Sequence, residues 1–583
     1  MINRDDITKF FDLEADSQRN SWEALMKLPT KDRIRKRKAI KDVYIDRDFA
    51  DYTEDGDSLY KLHVNSNLSD FKEGDYLLLH EEDKLFGMKC TLFSFENDDF
   101  IYVSVSIFDR INDLESYYDK PLILDKDLVD LRQHIFYNFT AVLPNNSDYW
   151  NNSLINQKPN PKYIEDIKCI ELFEDLVKDI HILDNQRIAI KNSLLTQDYY
   201  LIQGPPGTGK SFVLGLIILM ELLHYKHKIV VIGPNHMAIN NALGQVFDLC
   251  PNLGDLMPFY KVGRPYNAPS FVNEHEGKEY KITNAYSIKT GYLNSLEHPW
   301  LMGLTPHSLY TSKARGLKCD TLIIDEAGQM TIPLALMGMF NCKKVILAGD
   351  HKQLPPIITS EQMPEYLKKS VFEAMITADN CTLLDTSFRM CRPICEFVSD
   401  LFYDGKIKAM NKECGTLVKC NDPLLNFGNP VVVHNVDDSG EQASIKEAEF
   451  IVETIIGFLN QNVPAKEIAV LAPFRAQAAT VRRLIRKSQT ILEEDKNLLV
   501  ADTVDKMQGQ EREIIIYSLT SGNPDYMEEM ADFLYKPNKL NVAFSRAKSK
   551  LVIVGNIENL KSLSVQDYPH LHKMLEHKNI TLI

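Results

Sequence analysis

The chain has few of the features that mark membrane, secreted or metal-binding proteins. Its 583 residues include ten cysteines but no C-x-x-C pair. The closest spacings, Cys391/Cys395 and Cys414/Cys420, do not match those of zinc or iron–sulfur sites, so we expect free thiols. The longest apolar run is far shorter than the roughly 20 residues that span a bilayer, and the N-terminal sequence does not resemble a signal peptide. We therefore expect a cytoplasmic protein without membrane contact, with the nucleoid or nucleus as alternatives.

Positive charge, internal repeats and low-complexity tracts are also scarce. Lysine and arginine total 66 against 81 acidic residues, which gives a net charge of −15. This balance argues against nucleic-acid binding over the whole surface, although a narrow basic groove remains compatible with it. The length and the ordinary composition, 44% hydrophobic and 25% charged, predict about three globular domains.

The N-terminal part is predicted to combine helices with a small barrel. The first forty residues look helical and end in a basic run at 31–38, which is either a solvated helix face or a phosphate contact. From Lys41 to Phe108, short alternating segments separated by polar turns predict an antiparallel barrel. Helical periodicity returns over Asp125–Val142, and the Asn/Pro-rich stretch 144–162 is typical of a linker.

From about residue 163 onward, apolar strand-like runs alternate with helices, which is typical of parallel doubly wound sheets. The alternation forms two blocks divided near residue 375, and residues 250–300 have little periodicity, so we expect an insertion there. The sequence thus predicts an α/β protein with three parts: 1–162, 163–375 and 376–583.

The phosphate-binding loop is the sharpest motif. Gly204 to Ser211 read GPPGTGKS between a short apolar run and a predicted buried helix, so the loop comprises Gly204, Pro205, Pro206, Gly207, Thr208, Gly209, Lys210 and Ser211. The glycines let backbone N–H groups point at phosphates, and the helix N-terminus adds positive potential. Lys210 is expected to reach the β- and γ-phosphates and Ser211 to bind Mg²⁺.

Two further segments fit a triphosphate site. Asp325 and Glu326 follow an apolar strand, where Asp325 would hold Mg²⁺ and Glu326 would activate the attacking water. The segment 343–356 is a strand that runs into a polar loop, in which Gln353 is suited to sense a γ-phosphate. Taken alone, the polar loop that contains Gln353 is equally well explained as a turn that ends at Pro355 and Pro356.

These motifs resemble those of superfamily 1 helicases. DEAGQ (325–329) and GDHKQLPP (349–356) are similar to motifs II and III of superfamily 1B, in the nonsense-mediated-decay and immunoglobulin-mu-binding-protein (senataxin-like) group. Over about residues 180–560, further segments match in order and approximate spacing: LDNQ (183–186), GPNHMAINNAL (233–243), GLTPHS (303–308), the stretch 383–407 with SFRM, VLAPFRAQ (470–477), TVDKMQGQERE (503–513) and LNVAFSRAK (540–548).

The resemblance implies two RecA-like parallel-sheet domains with ATP and Mg²⁺ between them. Arg389 and Arg546 would be arginine fingers from the second domain, and Gln186 would read the adenine. Phe388 would stack near the base where the family usually has Tyr, and Glu511 would face the nucleotide cleft. Ser387 replaces the family Gln.

The resemblance also implies a track for single-stranded DNA or RNA across both domains. The expected contacts are short polar side chains, ring faces and loop amides, which grip a strand without reading its sequence: Pro234, Asn235, Thr305, Pro306, His307, Arg475, Gln477 and Thr503. Each of these could instead be a loop cap or turn residue. The N-terminal barrel resembles the accessory barrel of this group, with helices around 125–142 and 164–179 as its stalk.

The sequence therefore predicts an ATP- and Mg²⁺-dependent translocase or helicase on single-stranded nucleic acid, moving 5′ to 3′ as the family does. One alternative stays open: a nucleic-acid-gated ATPase that clamps a strand and recruits protein partners into a larger complex without processive unwinding. A small-molecule kinase would not need the second block with Arg389 and Arg546.

Overall fold

The computed structural model describes the chain except for residues 50, 54–55, 65–68, 70, 72–73, 83–86, 97–98, 107–116, 129–134, 264–271, 276–277, 412, 415–417, 419, 439, 508 and 521, and describes only the backbone at 272–275 and 278–281. No helix within the described ranges is long and apolar enough to cross a membrane.

Two helices, α1 (Arg4–Met26) and α2 (Thr30–Arg35), open the chain as predicted. A capping box at Asn3 and Asp6 starts α1 because each side chain accepts a hydrogen bond from the other residue's backbone N–H. The buried face of α1, at Ile7, Phe10 and Phe11, belongs to the hydrophobic core of the first parallel-sheet body. This helix therefore connects the N-terminal region to that body.

A closed antiparallel barrel follows, as predicted. The ring order is β1-β7-β4-β5-β6-β3, closed by pairing of β1 with β3, and β2 extends β3. The strands are β1 (Ala39–Ile45), β2 (Asp51–Tyr52), β3 (Ser58–Val64), β4 (Tyr76–His80), β5 (Met88–Phe95), β6 (Phe100–Val105) and β7 (Leu122–Lys126). Among the described strands, closure leaves a free edge at the short β2 alone.

The barrel extends beyond the predicted range, and this corrects the helix expected over 125–142. Strand β7 completes the ring by pairing with β1 and β4, so Asp125 lies in a strand. Among the described residues of that range, the α-helix is limited to α3 (Tyr137–Thr140). The predicted end at Phe108 lies outside the described residues.

The predicted linker at 144–162 is packed against the first parallel-sheet body. It contains α4 (Ser147–Asn151) and α5 (Leu154–Gln157), and Trp150 and Ile155 are buried in the core of the first body. Because two large apolar side chains are removed from water, this segment cannot swing as a free tether. The helix α6 (Ile167–Leu176) then occupies the position predicted for the second stalk helix.

The first body is an eight-stranded sheet in the order β13-β10-β14-β9-β15-β16-β8-β17, and all seven pairings are parallel. Its strands are β8 (Tyr199–Gln203), β9 (Lys228–Ile232), β10 (Phe259–Val262), β13 (Thr283–Ala285), β14 (Trp300–Gly303), β15 (Thr321–Ile324), β16 (Lys344–Gly349) and β17 (Cys381–Leu383), with a separate hairpin of β11 (Val272–His275) and β12 (Lys278–Lys281). Its helices are α7 (Asp184–Leu195), α8 (Lys210–Leu223), α9 (His236–Leu249), α10 (Leu253–Leu256), α11 (Thr290–Ser295), α12 (Ile332–Met339), α13 (Glu365–Lys368) and α14 (Val371–Met375).

Two predicted boundaries of this body are corrected. The segment 250–300 is not wholly an insertion, because β10 and β13 extend the main sheet at one edge. These strands are too short to show a period in the sequence. At the other edge, β17 lies beyond the division near residue 375 but pairs with β8.

The second body is a six-stranded parallel sheet in the order β22-β21-β23-β24-β20-β25. Its strands are β20 (Val431–Asn435), β21 (Ile468–Ala472), β22 (Val500–Thr503), β23 (Arg512–Ser518), β24 (Ala547–Gly555) and β25 (Ile580–Leu582), after a small pair, β18 (Thr386–Ser387) and β19 (Lys408–Ala409). Its helices are α15 (Arg392–Phe402), α16 (Ile445–Asn460), α17 (Arg475–Lys487), α18 (Glu493–Leu498), α19 (Pro524–Leu534), α20 (Pro537–Phe544), α21 (Ile557–Ser562) and α22 (Pro569–Leu575). The predicted α/β class with two parallel-sheet bodies is confirmed.

A buried ion pair joins the basic run to the barrel. The Arg33 guanidinium donates to both oxygens of Asp125 at 2.9 Å, and His80 Nε2 lies 2.7 Å from the same carboxylate. Arg33 of α2 is buried against the barrel, so this residue of the basic run is not available to contact phosphate.

We expect Arg33→Ala to destabilise the barrel by about 3–5 kcal/mol, because it leaves Asp125 buried without its main partner. Arg35→Ala is the matched control, since Arg35 belongs to the same run but is exposed and should change stability little. Hydrogen exchange of β1 and β7 measures the local effect. Equal protection in the two variants would contradict the assigned role of Arg33.

Candidate nucleotide site and interdomain cleft

The phosphate-binding loop connects β8 to α8, as the motif predicts. Gly207 and Gly209 have φ of +73° and +79°, in the left-handed region that favours glycine. Gly209 is the N-cap residue, and α8 begins at Lys210. The loop therefore lies at a helix N-terminus, where backbone N–H groups and the helix dipole favour an anion.

Lys210 forms an ion pair with both predicted acidic residues. Its Nζ lies 2.8 Å from Asp325 Oδ1 and 2.7 Å from Glu326 Oε1, directly beyond the carboxyl end of β15. Burial lowers the pKa of Lys210, but the two carboxylates outweigh it and the net pKa is raised. Two negative charges thus share one lysine, which leaves an excess negative charge in a buried site.

The two carboxylates differ in their electrostatic environment. Burial raises the pKa of Asp325, and neighbouring Glu326 adds to that increase against the effect of Lys210. Burial also raises the pKa of Glu326, but Lys210, Arg546 and Gln329 outweigh it, so the net pKa is lowered. Glu326 is therefore ionised, as a base must be before it accepts a proton.

Glu326 also has an unusual backbone conformation. Its φ is +52°, which is uncommon for a residue with a Cβ. Gln329 Nε2 donates to its second carboxylate oxygen at 3.2 Å. Residues held in the left-handed region of backbone conformation, as Glu326 is, occur frequently at functional sites.

Asp350 connects the predicted γ-phosphate sensor to the second body. Its carboxylate accepts hydrogen bonds from Gln203 at 3.1 Å, from Gln353 at 3.0 Å and from the Tyr403 hydroxyl of the second body at 2.6 Å. Asn541 Nδ2 in turn donates to the Tyr403 hydroxyl at 2.8 Å. Tyr403 and Asn541 lie within segments that resemble family motifs, but nothing in the sequence indicated the hydrogen bond between them or the contact of Tyr403 with Asp350 across the cleft.

The segment with the first predicted arginine finger, Arg389, touches the phosphate loop directly. Ser387 Oγ donates to Pro206 O at 2.9 Å, and the Phe388 N–H donates to Gly207 O at 2.8 Å. A Cβ at Gly207 would lie 2.4 Å from Arg389 Cβ, so only glycine fits there. Ser387, which replaces the family Gln, thus has a defined partner in this loop.

Both predicted arginine fingers lie at the interface between the bodies. Arg389 Nε pairs with Glu511, whose other oxygen lies 3.0 Å from Lys548 Nζ. Arg546 is buried, and its Nη2 is 3.4 Å from Gln353 Oε1. Burial, together with the nearby Arg389, lowers the pKa of Arg546, so this guanidinium would gain from an added anionic partner.

The residues predicted to contact the nucleotide outside the phosphate loop lie in two places. Phe388, Arg389 and Glu511 line one cavity of about 360 Å³. Gln186 is buried under the phosphate loop, where its Nε2 donates to Thr208 O at 3.0 Å and its Oε1 accepts from Leu183 N at 3.1 Å. Both polar atoms of the Gln186 side-chain amide are thus hydrogen-bonded to backbone groups of the protein. Its contact with adenine stays a prediction.

The expectation that all cysteines are free is wrong for one pair. Cys391 and Cys414 form a disulfide that closes a separation of 23 residues, with Cα atoms 4.9 Å apart. Cys391 is the N-cap residue of α15 and follows Arg389 by two positions. The sequence spacing gave no indication of it, because the folded chain brings a distant loop back to this helix.

A second, larger cavity of about 850 Å³ lies between the bodies and holds part of the predicted track. Asn235 comes from the first body and Arg475 and Thr503 from the second, and Glu326 also lines this cavity. Sequence reasoning missed its two aromatic residues, Phe474 and Phe533, whose rings stack with centroids 5.4 Å apart.

Other predicted track residues do not line that cavity. Gln477 is fully buried. Its Oε1 accepts a hydrogen bond from the Ser444 N–H at 2.8 Å, and its Nε2 donates to Ser518 Oγ at 3.0 Å. Pro306 is buried, and His307 instead lines a cavity of about 260 Å³ under α1. For Gln477 the predicted strand contact is therefore corrected to a structural role, whereas for His307 it stays a prediction. Pro234 and Thr305 are half-buried in the loops after β9 and β14.

Comparisons with known proteins find similarity over the two parallel-sheet bodies. Residues 181–284 and 303–361 match one AAA domain model, and residues 367–558 match another. An uncharacterized ATP-dependent helicase of Methanocaldococcus jannaschii is 27% identical over 523 residues, covering 73% of this chain and 74% of that protein. The DNA polymerase alpha-associated DNA helicase A of Schizosaccharomyces pombe is 27% identical over 441 residues, covering 65% and 64%.

A longer relative is the DNA replication ATP-dependent helicase/nuclease of Mus musculus, 26% identical over 439 residues. The match covers 68% of this chain but only 38% of that protein. The arterivirus nonstructural protein 10 (helicase) structure is a weak match, with 11% identity, a TM-score of 0.38 and coverage of 87% and 78%.

We expect Tyr403→Phe to slow triphosphate hydrolysis by about tenfold or more while the dissociation constant for the nucleotide changes little. The substitution removes a buried donor from the Asp350 carboxylate, which is worth about 1.5–3 kcal/mol, but leaves the phosphate loop intact. Steady-state kinetics and equilibrium binding measure the two effects separately.

Tyr568→Phe is the control, since that hydroxyl bonds an exposed carboxylate, Asp532, at 3.0 Å. An unchanged hydrolysis rate in Tyr403→Phe would show that the Asp350 contact does not couple the bodies.

The phosphate loop, the paired carboxylates and the arginines from the opposite body form one hydrolytic cleft, and two AAA domain models cover the same residues. The chain is therefore an ATP-hydrolysing enzyme whose two parallel-sheet bodies are similar to AAA domains.

Proposed function

We propose that the protein is an ATP- and Mg²⁺-dependent translocase or helicase that moves 5′ to 3′ along single-stranded nucleic acid. One observation carries the proposal: Glu326 lines the 850 Å³ cavity between the bodies and also pairs with Lys210 of the phosphate loop. A strand in that cavity would contact the same residue that is expected to activate water. Strand binding and hydrolysis would thus be directly linked.

The chemistry of the cavity suits a single strand. Arg475 begins α17, so its charge and the first-turn N–H groups favour phosphate. The Phe474–Phe533 pair offers ring faces for bases, and Lys539 Nζ lies 3.5 Å from the Phe533 ring centroid. Stacking and phosphate contacts of this kind bind a strand without reading its sequence.

Hydrolysis would begin with a change of partner at Lys210. When the Lys210 ammonium group pairs with a bound triphosphate instead, Asp325 and Glu326 lose the cation that they share. The excess negative charge and hard oxygen donors fit Mg²⁺, held by Asp325 and the Ser211 hydroxyl, where the ion would neutralise phosphate charge. Glu326 would accept the proton of the attacking water, and Arg389 and Arg546 would approach the γ-phosphate as the bodies close.

The relatives favour DNA over RNA as the strand, because two of the proteins named above carry DNA in their names. The chain spans 74%, 64% and 38% of these three relatives. Matched DNA and RNA oligomers, compared at several salt concentrations, distinguish the two substrates.

We expect Glu326→Gln to lower strand-stimulated ATP hydrolysis by about 10²–10⁴-fold, because the amide cannot accept a proton. Nucleotide binding should persist, whereas Lys210→Ala should weaken both binding and hydrolysis. Mg²⁺ removal with a chelator should also abolish hydrolysis. If Glu326→Gln hydrolyses ATP at the parental rate, the base is a different residue.

We expect Arg475→Ala to weaken binding of a single strand and to reduce the slope of log affinity against log salt by about 1, because one phosphate contact is lost. Arg486→Ala is the matched control, since Arg486 is exposed at the far end of the same helix. Equal slopes in the two variants would place the strand elsewhere.

A strand-displacement assay with 5′-tailed and 3′-tailed duplexes tests the activity and its polarity. Unwinding of the 5′-tailed substrate supports the proposal. Strand-stimulated ATP hydrolysis without unwinding of either duplex would instead support the clamping ATPase that recruits partners.

A further inference from the structure

A cluster of three different metal-ligand types lies on the first body, away from the nucleotide cleft. Asp166, Cys169 and His224 each offer one ligand atom, and these atoms lie within 4.8 Å of one another. Cys169 is fully buried, and the side chains of Asp166 and His224 are 22% and 21% exposed. The cluster is thus largely enclosed, and water can reach one side of it.

The local structure orients these groups before any ion binds. Asp166 is the N-cap residue of α6, and its Oδ1 accepts from Cys169 N at 2.9 Å. Its other oxygen, Oδ2, is directed at His224 Nε2, 2.9 Å away. Cap formation therefore uses Oδ1 of Asp166, and Oδ2 faces His224, where both atoms could bind one ion. Cys169 follows one turn later on the same helix.

The surroundings favour a cation. His224 is the C-cap residue of α8, where the helix dipole places negative potential. Tyr225 adds a buried hydroxyl oxygen that interacts with the Cys169 thiol and the Asp166 carboxylate. The nearby lysine, Lys344, is neutralised by Glu221 at 2.7 Å, so it does not add a free positive charge.

We propose that Asp166, Cys169 and His224 bind one Zn²⁺ ion, which joins the start of α6 to the end of α8. Carboxylate oxygen, imidazole nitrogen and thiolate sulfur together match the ligand preference of Zn²⁺. The fourth position is left to water, or to Tyr225. Binding releases the Cys169 thiol proton to solvent, and the two resulting negative ligands balance the divalent ion.

The site is structural rather than part of hydrolysis. The helix α8 runs over 14 residues from Lys210 to Leu223, which at 1.5 Å per residue separates the cluster from the phosphate loop by roughly 20 Å. A bound ion would fix the far end of the helix that begins with Lys210, and would attach it to the segment that follows the barrel.

Cobalt binding to the protein tests this inference without using ATP. After treatment with a chelator, the protein is titrated with Co²⁺, and the thiolate-to-cobalt charge-transfer band in the near ultraviolet is recorded. We expect one ion per chain, a band that saturates at that ratio, and displacement by Zn²⁺. Zn²⁺ should also raise the melting temperature.

Two variants separate metal binding from an ordinary Asp–His hydrogen bond. Cys169→Ser should abolish the charge-transfer band, and Asp166→Asn should weaken Co²⁺ binding by at least about 10–100-fold while it keeps the helix cap. Cys319→Ser is the control, since it removes another buried cysteine of the same body. Absence of stoichiometric Co²⁺ binding, or a band that persists in Cys169→Ser, would overturn the proposal.

Discussion

The buried carboxylate of Asp350 is the contact on which the arrangement of the two bodies depends. It accepts hydrogen bonds from the end of β8, from Gln353 in its own loop and from Tyr403 in the opposite body. A buried carboxylate that lost these donors would carry a large desolvation cost. Together with the Ser387, Phe388 and Arg546 contacts across the cleft, this side chain holds the phosphate loop, the predicted γ-phosphate sensor and the second body in one geometry.

Much of this could be predicted from local patterns. The phosphate loop, the carboxylates after β15 and the alternation of strands and helices are encoded in contiguous segments, and the structure has them as predicted. The barrel was also recognisable from its alternating strands. Its closing strand β7 was not, because Leu122–Lys126 are separated from the other strands by a long connection and their role becomes evident only through pairing.

The errors have a common physical cause, which is that burial and pairing are set by distant residues. Gln477 lies in a segment that resembles a strand-binding motif, but Ser444 and Ser518 complete its hydrogen bonds in the interior. The Cys391–Cys414 disulfide depends on the return of a loop to α15. In the same way, no short window of sequence indicates that Phe533 would stack on Phe474 in the cleft.

The ion pairs of Lys210 have a consequence for product release. A lysine that is left alone in a buried loop after a nucleotide departs would raise the free energy of the empty enzyme. Here Asp325 and Glu326 lie within 2.8 Å of its Nζ and take the place of the departing phosphates. The protein thus supplies its own substitute for the leaving anion, which lowers the cost of emptying the site and favours repeated turnover.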